Sequence, residues 1–190
     1  MPAPLTEVPK LEDLKKMAIN RKKFPRYIFE NATTGICFFC AAFYGRNDVI
    51  DLYVNNIKDL VLVDVDKDRI DIMKTIYPKN WTFICESAFD YSVKLNNEGK
   101  KFDLVFCDPW TNHVKNVYFS DFMPFYNLAN NYFVAYGTRN ALFTETNTPV
   151  EKKAISNYLS EYHKTKINVV DIIFGPGTAD GGTTYLVIKK

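Results

Sequence analysis

Long apolar runs, a secretory leader pattern and a strong charge of one sign are all missing from this sequence. No window approaches the run of about 18 apolar residues that a helix needs to span a bilayer. The start, Met1-Pro2-Ala3-Pro4, lacks the basic-then-apolar order of a secretory signal. The formal net charge is only +2, so any basic footprint for nucleic acid must be local. We expect an intracellular protein, most simply a cytoplasmic one, with no membrane partner.

The positions of the four cysteines argue against a metal centre. Cys37, Cys40, Cys85 and Cys107 all lie in apolar, strand-like runs. Cys37 and Cys40 form a C-x-x-C pattern, but residues three apart on an extended strand point to opposite faces and cannot share an ion. We therefore expect reduced thiols in the core and no metal.

Apolar runs alternate with helical patterns from Gly35 onward. The 190 residues fit one domain, which we divide into a basic helical arm over 1–30 and a folded domain over 31–190. The alternation predicts an α/β fold, a doubly wound and mostly parallel seven-stranded sheet. No helix fits between the last two runs, which predicts a C-terminal antiparallel hairpin. The predicted strands cover 35–40, 59–64, 81–85, 101–107, 132–136, 167–174 and 183–188, and the predicted helices cover 11–23, 48–55, 66–76, 89–96, 117–129 and 149–162.

The stretch 102–110 reads Phe-Asp-Leu-Val-Phe-Cys-Asp-Pro-Trp. Its apolar residues are typical of a buried strand, and Pro109 ends the ladder because it has no N–H to donate. Asp108 is therefore expected at the carboxyl end of a strand, where open α/β sheets bind their ligands. This stretch resembles motif IV of the class I S-adenosylmethionine (SAM) methyltransferases, most closely the amino-methylating branch, whose pattern is Asp/Asn/Ser-Pro-Pro-aromatic. One proline of that pattern is missing here.

The resemblance extends over residues 31–190 and implies that SAM is the cofactor. After the first strand the family has an acid-x-Gly-x-Gly-x-Gly loop, whose glycines let the backbone approach the methionine part of SAM. In this chain the loop is degenerate, since a cysteine stands at the acid position and alanines partly replace the glycines. An ordinary turn after a buried strand is the alternative interpretation. The cofactor-binding residues that the resemblance implies here are Cys40, Ala41, Ala42, Phe43 and Gly45.

The end of the second strand, at 61–66, reads Val-Leu-Val-Asp-Val-Asp. Asp64 lies about 20 residues past the loop, the place of a ribose-binding acid in this kind of sheet. A carboxylate there can accept hydrogen bonds from both ribose hydroxyls, and Val65 would pack on the adenine ring. The segment is similar to the family's motif II. Asp66 and Asp68 are better explained as the acidic start of a helix.

The third strand is followed by Glu86, Ser87 and Ala88, where family members often carry Asp-Ala. The family's acid lies near the adenine amine, so the resemblance implies a cofactor contact at these residues. Ser87 takes the place of the acid, and Glu86 is the nearest carboxylate. An exposed Glu at a strand end is the alternative interpretation.

The reaction that the resemblance implies is methyl transfer to an exocyclic amine of a nucleic-acid base, in RNA or DNA. Asp108 and the carbonyl beside it, next to Pro109, would accept hydrogen bonds from the amine and direct its lone pair toward the methyl group. Trp110 would stack on a base that has left its helix or belongs to a single strand. A simple turn at Asp108, with Trp110 in the core, is the structural alternative.

The predicted arm is locally basic and also carries aromatic residues. Lys22, Lys23 and Arg26, interleaved with Phe24 and Tyr27, are the candidates for nucleic-acid binding. Basic residues mixed with aromatic rings suit a nucleic-acid backbone. A run of charges is also commonly a solvated face, and that interpretation stays open.

Three functions are consistent with these patterns. The first is the methyltransferase acting on a base amine. The second is a methyltransferase-like domain that has lost SAM and serves as a structural or RNA-associated subunit, which the degenerate loop, Ser87 and the shortened motif IV favour. The third is a methyltransferase for a small molecule or a protein. Specificity for a nucleic acid would have to come from the arm, from a protein partner or from RNA structure, and the oligomeric state is left open.

Overall fold

The computed structural model describes residues 26–39, 56–77, 79–107, 122–138, 152–174 and 183–190. Within them, the strands are β1 Thr34–Phe38, β2 Asp59–Asp64, β3 Thr82–Cys85, β4 Phe102–Cys107, β5 Ala129–Thr138, β6 Asn168–Phe174 and β7 Thr183–Lys189. The helices are a short 3-10 helix Arg26–Ile28 and the α-helices α1 Lys67–Ile76, α2 Ala88–Asn97, α3 Met123–Tyr126 and α4 Lys152–His163. None of the described helices is long and apolar enough to cross a membrane.

The strands form one sheet in the order β3-β2-β1-β4-β5-β7-β6. Neighbouring strands from β3 to β5 pair in parallel, whereas β7 is antiparallel to both β5 and β6. This confirms the predicted fold class, a mostly parallel, doubly wound sheet that ends in an antiparallel hairpin.

Both faces of the sheet are covered, which explains the nearly continuous apolar runs of the central strands. Successive side chains of β1 point to opposite faces: Ile36 and Phe38 belong to one apolar core and Cys37 to the other. The core with Cys37 also contains the residues around Ile28 and the buried face of α1. The other core contains the buried faces of α2, α3 and α4.

The arm predicted over 1–30 is described only from Arg26. Ile28 and Phe29 are buried against the sheet, so this last part of the segment packs into the folded domain. The boundary at residue 30 stays a prediction. The predicted helices 11–23 and 48–55 lie outside the described residues.

Helix α1 follows its prediction because its end signals are local. The side chain of Asp66 accepts a hydrogen bond from the backbone N–H of Arg69 and so caps the first turn. Arg69 also forms an ion pair with Asp66, with 3.1 Å between Nε and Oδ2. The helix ends at Ile76, two residues before Pro78 in the sequence. Asp66 therefore belongs to the helix start, as predicted.

The prediction was wrong about the helix over 117–129 in its last residues. Ala129 is already part of β5, and the described helix α3 is a single turn, Met123–Tyr126. The N–H of Phe102 donates to the carbonyl of Leu128 at 2.9 Å, so the chain has joined the sheet before Ala129. Burial of Leu128 and Ala129 outweighs their helical preference.

The expectation of core thiols holds for Cys37 and Cys107, which are buried thiols. It was wrong for Cys85, which is free but exposed. The reason is its position as the last residue of β3, the edge strand of the sheet. Cys40 lies outside the described residues.

Candidate cofactor site

Four parallel strands end together at one edge of the sheet. Phe38 at the end of β1 pairs with Val63 of β2 and with Cys107 of β4, and Asp64 pairs with Cys85 of β3. The chain builds β2 and β3 on one side of β1 and β4 on the other. The carboxyl ends of β1 and β4 therefore lie at a topological switch point, where open α/β sheets place their ligands.

Asp64 lies at this edge as the last residue of β2 and is half-buried. Its Oδ1 accepts a hydrogen bond from the backbone N–H of Asp66 at 3.0 Å, the pattern of an Asx turn. This bond fixes the direction of the carboxylate, while Asp66 uses its own side chain on α1. The structure thus separates the two acids as the sequence analysis predicted: Asp66 caps the helix, and Asp64 remains at the strand end.

Two apolar side chains are exposed where β2 and β3 end. Val65 is 69% exposed directly after Asp64, and Phe89, in the first turn of α2, is 36% exposed. The carbonyl of Val65 accepts a weak hydrogen bond from the thiol of Cys85 at 3.6 Å, which ties the end of β2 to that of β3. Exposed apolar surface beside a carboxylate suits a ligand with a flat ring and a polyol, such as an adenosine. The sequence analysis missed Phe89; an aromatic directly after Ala88 was the available signal.

Glu86, Ser87 and Ala88 differ in what the structure does with each side chain. Ser87 caps α2 by accepting from the N–H of Asp90 at 3.4 Å, and Ala88 is buried. Glu86 is exposed. Burial raises the pKa of Tyr91, and the carboxylate of Glu86 raises it further, which places Glu86 near the start of α2. Glu86 is the better of the three as a polar ligand contact, and the cofactor role of all three stays a prediction.

The end of β1 departs from the predicted strand 35–40. The strand stops at Phe38, because Phe39 has a φ of 60° in the left-handed region, which breaks the ladder. The N–H of Phe39 still donates to the carbonyl of Val63 at 2.9 Å. A bulky residue rarely adopts this conformation, and the cost is of order 1–2 kcal/mol.

Ring contacts hold Phe39 in place. The centroid of its ring lies 5.9 Å from that of Phe89 and 5.9 Å from that of Phe125. Phe125 also contacts Phe89 at 5.1 Å and Phe38 at 4.7 Å. These four residues, which we call the aromatic cluster, join the end of β1 to the start of α2 and to α3. Edge-to-face pairs of this kind each contribute about 0.5–1.5 kcal/mol beyond burial, enough together to offset the strain at Phe39.

Arg26 lies away from the end of the sheet that carries Asp64. Its neighbour Tyr27 packs against Tyr132, near the start of β5, with 5.7 Å between ring centroids. The start of β5 is at the opposite edge from the end of β2. Most other predicted site residues lie outside the described residues: Lys22, Lys23, Cys40, Ala41, Ala42, Phe43, Gly45, Asp108, Pro109 and Trp110.

In the portions of the chain that the structure describes, no three His, Cys, Asp or Glu side chains are grouped so that they could hold a metal ion.

The strand order and the C-terminal antiparallel hairpin define the class I methyltransferase fold, and solved structures share this fold. SMU.776, a candidate methyltransferase solved with S-adenosylhomocysteine (SAH), matches with a TM-score of 0.59 and 14% identity, over 87% of this chain and 47% of that one. The O-methyltransferase from Bacillus cereus in complex with SAH matches with a TM-score of 0.56 and 13% identity, over 97% and 94% of the two chains. Spermidine synthase from Thermotoga maritima matches with a TM-score of 0.55 and 13% identity, over 87% and 56%.

These likenesses establish the fold and leave the activity to be argued from the site. The chain spans about half the length of SMU.776. No protein-family model matches the sequence, and no curated protein matches it either.

Proposed function

We propose that this protein is a SAM-dependent methyltransferase that acts on an exocyclic amine of a nucleic-acid base. One observation carries the proposal: β1 to β4 end in register, so that Asp64, the last residue of β2, and Cys107, the last residue of β4, flank the end of β1 at the switch point, and Asp108 is the next residue in the sequence. The first acid is the one expected to hold the cofactor, and the second is the one expected to hold the substrate.

The residues at the ends of β2 and β3 fit the adenosine part of SAM. The carboxylate of Asp64, oriented by the N–H of Asp66, accepts hydrogen bonds from ribose hydroxyls. Val65 and Phe89 offer exposed apolar surface on which a purine can pack, and Glu86 can accept from its amine. When bound, SAM supplies an activated methyl group.

The segment after β4 positions the substrate. Asp108 follows Cys107 in the sequence, and Cys107 is the buried last residue of β4, a central strand of the sheet. Its carboxylate and the neighbouring carbonyl accept hydrogen bonds from the NH2 group and direct the nitrogen lone pair; the acid later accepts the surplus proton. Trp110 stacks on the base, which must be unpaired to reach this position.

The choice of a nucleic-acid base rests on the Asp-Pro-Trp sequence and on the basic residues Lys22, Lys23 and Arg26. The fold does not select the substrate, since its members in the comparison range from an O-methyltransferase to a spermidine synthase. A methyltransferase for a small molecule or a protein would bind SAM equally well but would have no affinity for single-stranded nucleic acid.

A second candidate is a domain that no longer binds SAM and serves as a structural or RNA-associated subunit. Phe39 favours it: a bulky ring in a left-handed conformation, packed on Phe89 and Phe125, precedes the loop that holds SAM in the family. The loop itself keeps only one glycine, Gly45.

Calorimetric titration with SAM and SAH separates these candidates. The wild type is compared with Asp64→Ala and with Asp68→Ala, which removes the same charge from an exposed position on α1. We expect micromolar binding that Asp64→Ala weakens at least tenfold, or about 1.4 kcal/mol, and that Asp68→Ala changes less than twofold. No binding by protein with intact circular dichroism would overturn the enzyme and favour the second candidate. Transfer of the labelled methyl group from SAM is then measured with single-stranded RNA, single-stranded DNA and a small-molecule extract of whole cells, and the acceptor that becomes labelled identifies the substrate class.

A further inference from the structure

A cleft opens at the opposite end of the sheet from Asp64. Its volume is about 380 Å³, and its walls include Tyr27, Glu30, Asn31, Asn131, Tyr132 and Lys189. Tyr132 lies near the start of β5 and Lys189 at the end of the antiparallel strand β7, so the cleft is at the amino edge of the parallel strands. The distance along β5 from Tyr132 to the last residue, Thr138, is about 20 Å, given the rise per residue of a strand. The cleft is therefore separate from the proposed cofactor edge.

The aromatic side of the cleft is rigid. The hydroxyl of Tyr27 donates to Oδ2 of Asp171 at 3.1 Å, and its ring lies 5.7 Å from the ring of Tyr132 at an angle of 57°. The ring of Tyr27 is therefore held by a hydrogen bond to β6, and the ring of Tyr132 packs against it. A ligand that packs on these rings meets side chains that are already ordered, which lowers the entropic cost of binding.

The polar tip of the cleft is also held in place. Ile28, Phe29 and Ala32 are buried, and the N–H of Ala32 donates to the carbonyl of Phe29 at 3.1 Å. Between them, Glu30 and Asn31 are exposed. Asn31 has a φ of 65°, a left-handed conformation that Asn tolerates better than most residues. The buried neighbours thus hold the carboxylate and the carboxamide at the rim.

Lys189 supplies the positive charge of the cleft. It is the register partner of Tyr132, so the two side chains lie on the same face of the sheet. The ammonium of Lys190 instead lies 3.7 Å from the centroid of the Tyr126 ring. The backbone N–H of Lys190 donates to the carbonyl of Asn131 at 2.9 Å, and this bond joins the residue after β7 to β5 at the rim of the cleft. Burial lowers the pKa of Lys190, and the nearby Lys101 lowers it further.

From these contacts we infer that the cleft binds a nucleotide unit, meaning a base together with its phosphate. The rings of Tyr27 and Tyr132 offer surface for a base to pack on, as aromatic side chains do in single-strand binding proteins. Asn31 and Asn131 can each donate and accept at a base edge, and Glu30 can accept from a base amine. Lys189 is the phosphate contact. The volume lies within the range of small-molecule sites.

This inference goes beyond the proposed methyl transfer and does not depend on it. The same chemistry is presented by a free mononucleotide and by one unit of a single-stranded nucleic acid. A bare anion would use Lys189 but neither the rings nor the carboxamides. A simple anion site therefore predicts equal affinity for inorganic pyrophosphate and for a nucleotide, whereas a nucleotide site predicts a preference for the nucleotide.

Titration of ¹⁵N-labelled full-length protein by NMR tests the proposal. The titrations are carried out with and without an excess of SAH, and the ligands are CMP, UMP, inorganic pyrophosphate and a ten-nucleotide pyrimidine RNA. Pyrimidines are chosen because they differ from the adenine of SAM. We expect the amide signals of Asn131, Tyr132 and Lys189 to shift with CMP or UMP. Lys189→Ala should weaken binding roughly fivefold, near the upper limit for one exposed ion pair.

Two matched variants sharpen the result. Lys79→Ala removes the same charge from an exposed turn before β3 and should change nucleotide affinity less than twofold. Asn131→Ala should weaken the binding of the nucleotide and leave the affinity for pyrophosphate unchanged. An RNA that binds tenfold more tightly than CMP supports a strand as the source of the nucleotide unit, and equal affinities support a free nucleotide. The proposal is overturned if no signal at Asn131 or Lys189 shifts, if pyrophosphate binds as tightly as CMP, or if Lys79→Ala weakens binding as much as Lys189→Ala.

Discussion

Asp103 on β4 and Thr34 on β1 exchange hydrogen bonds in both directions. The Oδ2 atom of Asp103 accepts from the N–H of Thr34 at 3.1 Å and from its hydroxyl at 3.2 Å. The N–H of Asp103 donates back to the Thr34 hydroxyl at 3.1 Å, and Thr33 adds its N–H and hydroxyl to the same carboxylate. Asp103 lies at the irregularity in the pairing of β4 with β5, so this contact fixes the two central strands at the edge opposite the proposed cofactor site.

Replacing Asp103 should therefore cost stability without removing any proposed ligand contact. Asp103→Ala leaves the N–H groups of Thr33 and Thr34 without this acceptor, and we expect the free energy of unfolding to fall by about 2–3 kcal/mol. Asp103→Asn keeps an acceptor oxygen and should cost roughly 1 kcal/mol. Urea unfolding at pH 7 measures both, with Asp59→Asn, an exposed acid on β2, as the control that stays within about 0.5 kcal/mol of wild type.

The pH dependence of the same pair has a definite sign. Burial alone would raise the pKa of Asp103, but the hydrogen bonds from Thr33 and Thr34 outweigh it and hold the pKa below its ordinary value. A lowered pKa stabilises the fold above the unfolded value of about 4, and this contribution is lost as the pH falls through the lower folded pKa. The stability difference between wild type and Asp103→Asn should thus shrink below about pH 4. A difference that stays constant from pH 7 to pH 2.5 would contradict the assignment.

The contribution of Tyr27 to stability should have the opposite pH dependence, since it is lost as the pH rises. Burial raises the pKa of its phenol, and the carboxylate of Asp171 raises it further, because the hydroxyl donates to that carboxylate. The bond stabilises the fold fully below the unfolded pKa of about 10 and is lost as the pH rises through the higher folded pKa. Tyr27→Phe should cost about 1 kcal/mol at pH 7 and progressively less above about pH 10. Urea unfolding between pH 7 and pH 11 tests this, and an unchanged difference at high pH counts against it.

Ser87 and Glu86 are adjacent, yet substituting Ser87 should lower stability, whereas substituting Glu86 should weaken SAM binding. Ser87 caps α2, so Ser87→Ala should lower the free energy of unfolding by about 0.5–1 kcal/mol while SAM affinity changes less than twofold. Glu86 is exposed, so Glu86→Gln should leave stability unchanged and weaken SAM binding roughly threefold. Thermal unfolding and calorimetry on the two variants separate the roles. If only Ser87→Ala loses SAM affinity, Ser87 and not Glu86 is the cofactor contact.

The sequence patterns identified what is decided locally. Strand β2 matches its predicted range 59–64 because apolar residues fill it and Asp66 starts a helix directly afterwards. The position of Asp64 at a strand end was predicted for the same reason, since the end of a strand is visible in the chain itself. The start of β5 was missed because Leu128 and Ala129 have no strand preference of their own, and burial in the sheet decides their conformation.

Features that depend on distant contacts could not be predicted. The hydrogen bond between Tyr27 and Asp171 joins residues 144 apart in the sequence. Phe39 is held in the left-handed region by rings that come from α2 and α3, and a phenylalanine carries no local signal for that conformation. The exposure of Cys85 follows from the strand order, which places β3 at the edge.

Phe39 offers a direct test of strain at the end of β1. Phe39→Ala and Phe39→Gly both lose the ring contacts of a half-buried side chain, which should cost roughly 2–3 kcal/mol. Only glycine also relieves the left-handed conformation, so Phe39→Gly should be more stable than Phe39→Ala by about 1 kcal/mol. Chemical unfolding of the pair isolates this backbone effect. If the ring of Phe39 is what obstructs the cofactor in the second candidate function, the glycine variant should also bind SAM at least fivefold more tightly than wild type.

Asp108 should separate catalysis from cofactor binding. In the proposed reaction its carboxylate orients the amine and does not hold SAM, so Asp108→Ala should lower the methylation rate by about 100-fold or more while calorimetric SAM affinity stays within twofold of wild type. Asp64→Ala should do the reverse, losing affinity first and recovering rate at high SAM concentration. Single-turnover methylation of a single-stranded RNA or DNA at saturating SAM makes the comparison. Full activity of Asp108→Ala under those conditions would remove Asp108 from the reaction, and with it the reason to favour an amine of a base as the acceptor.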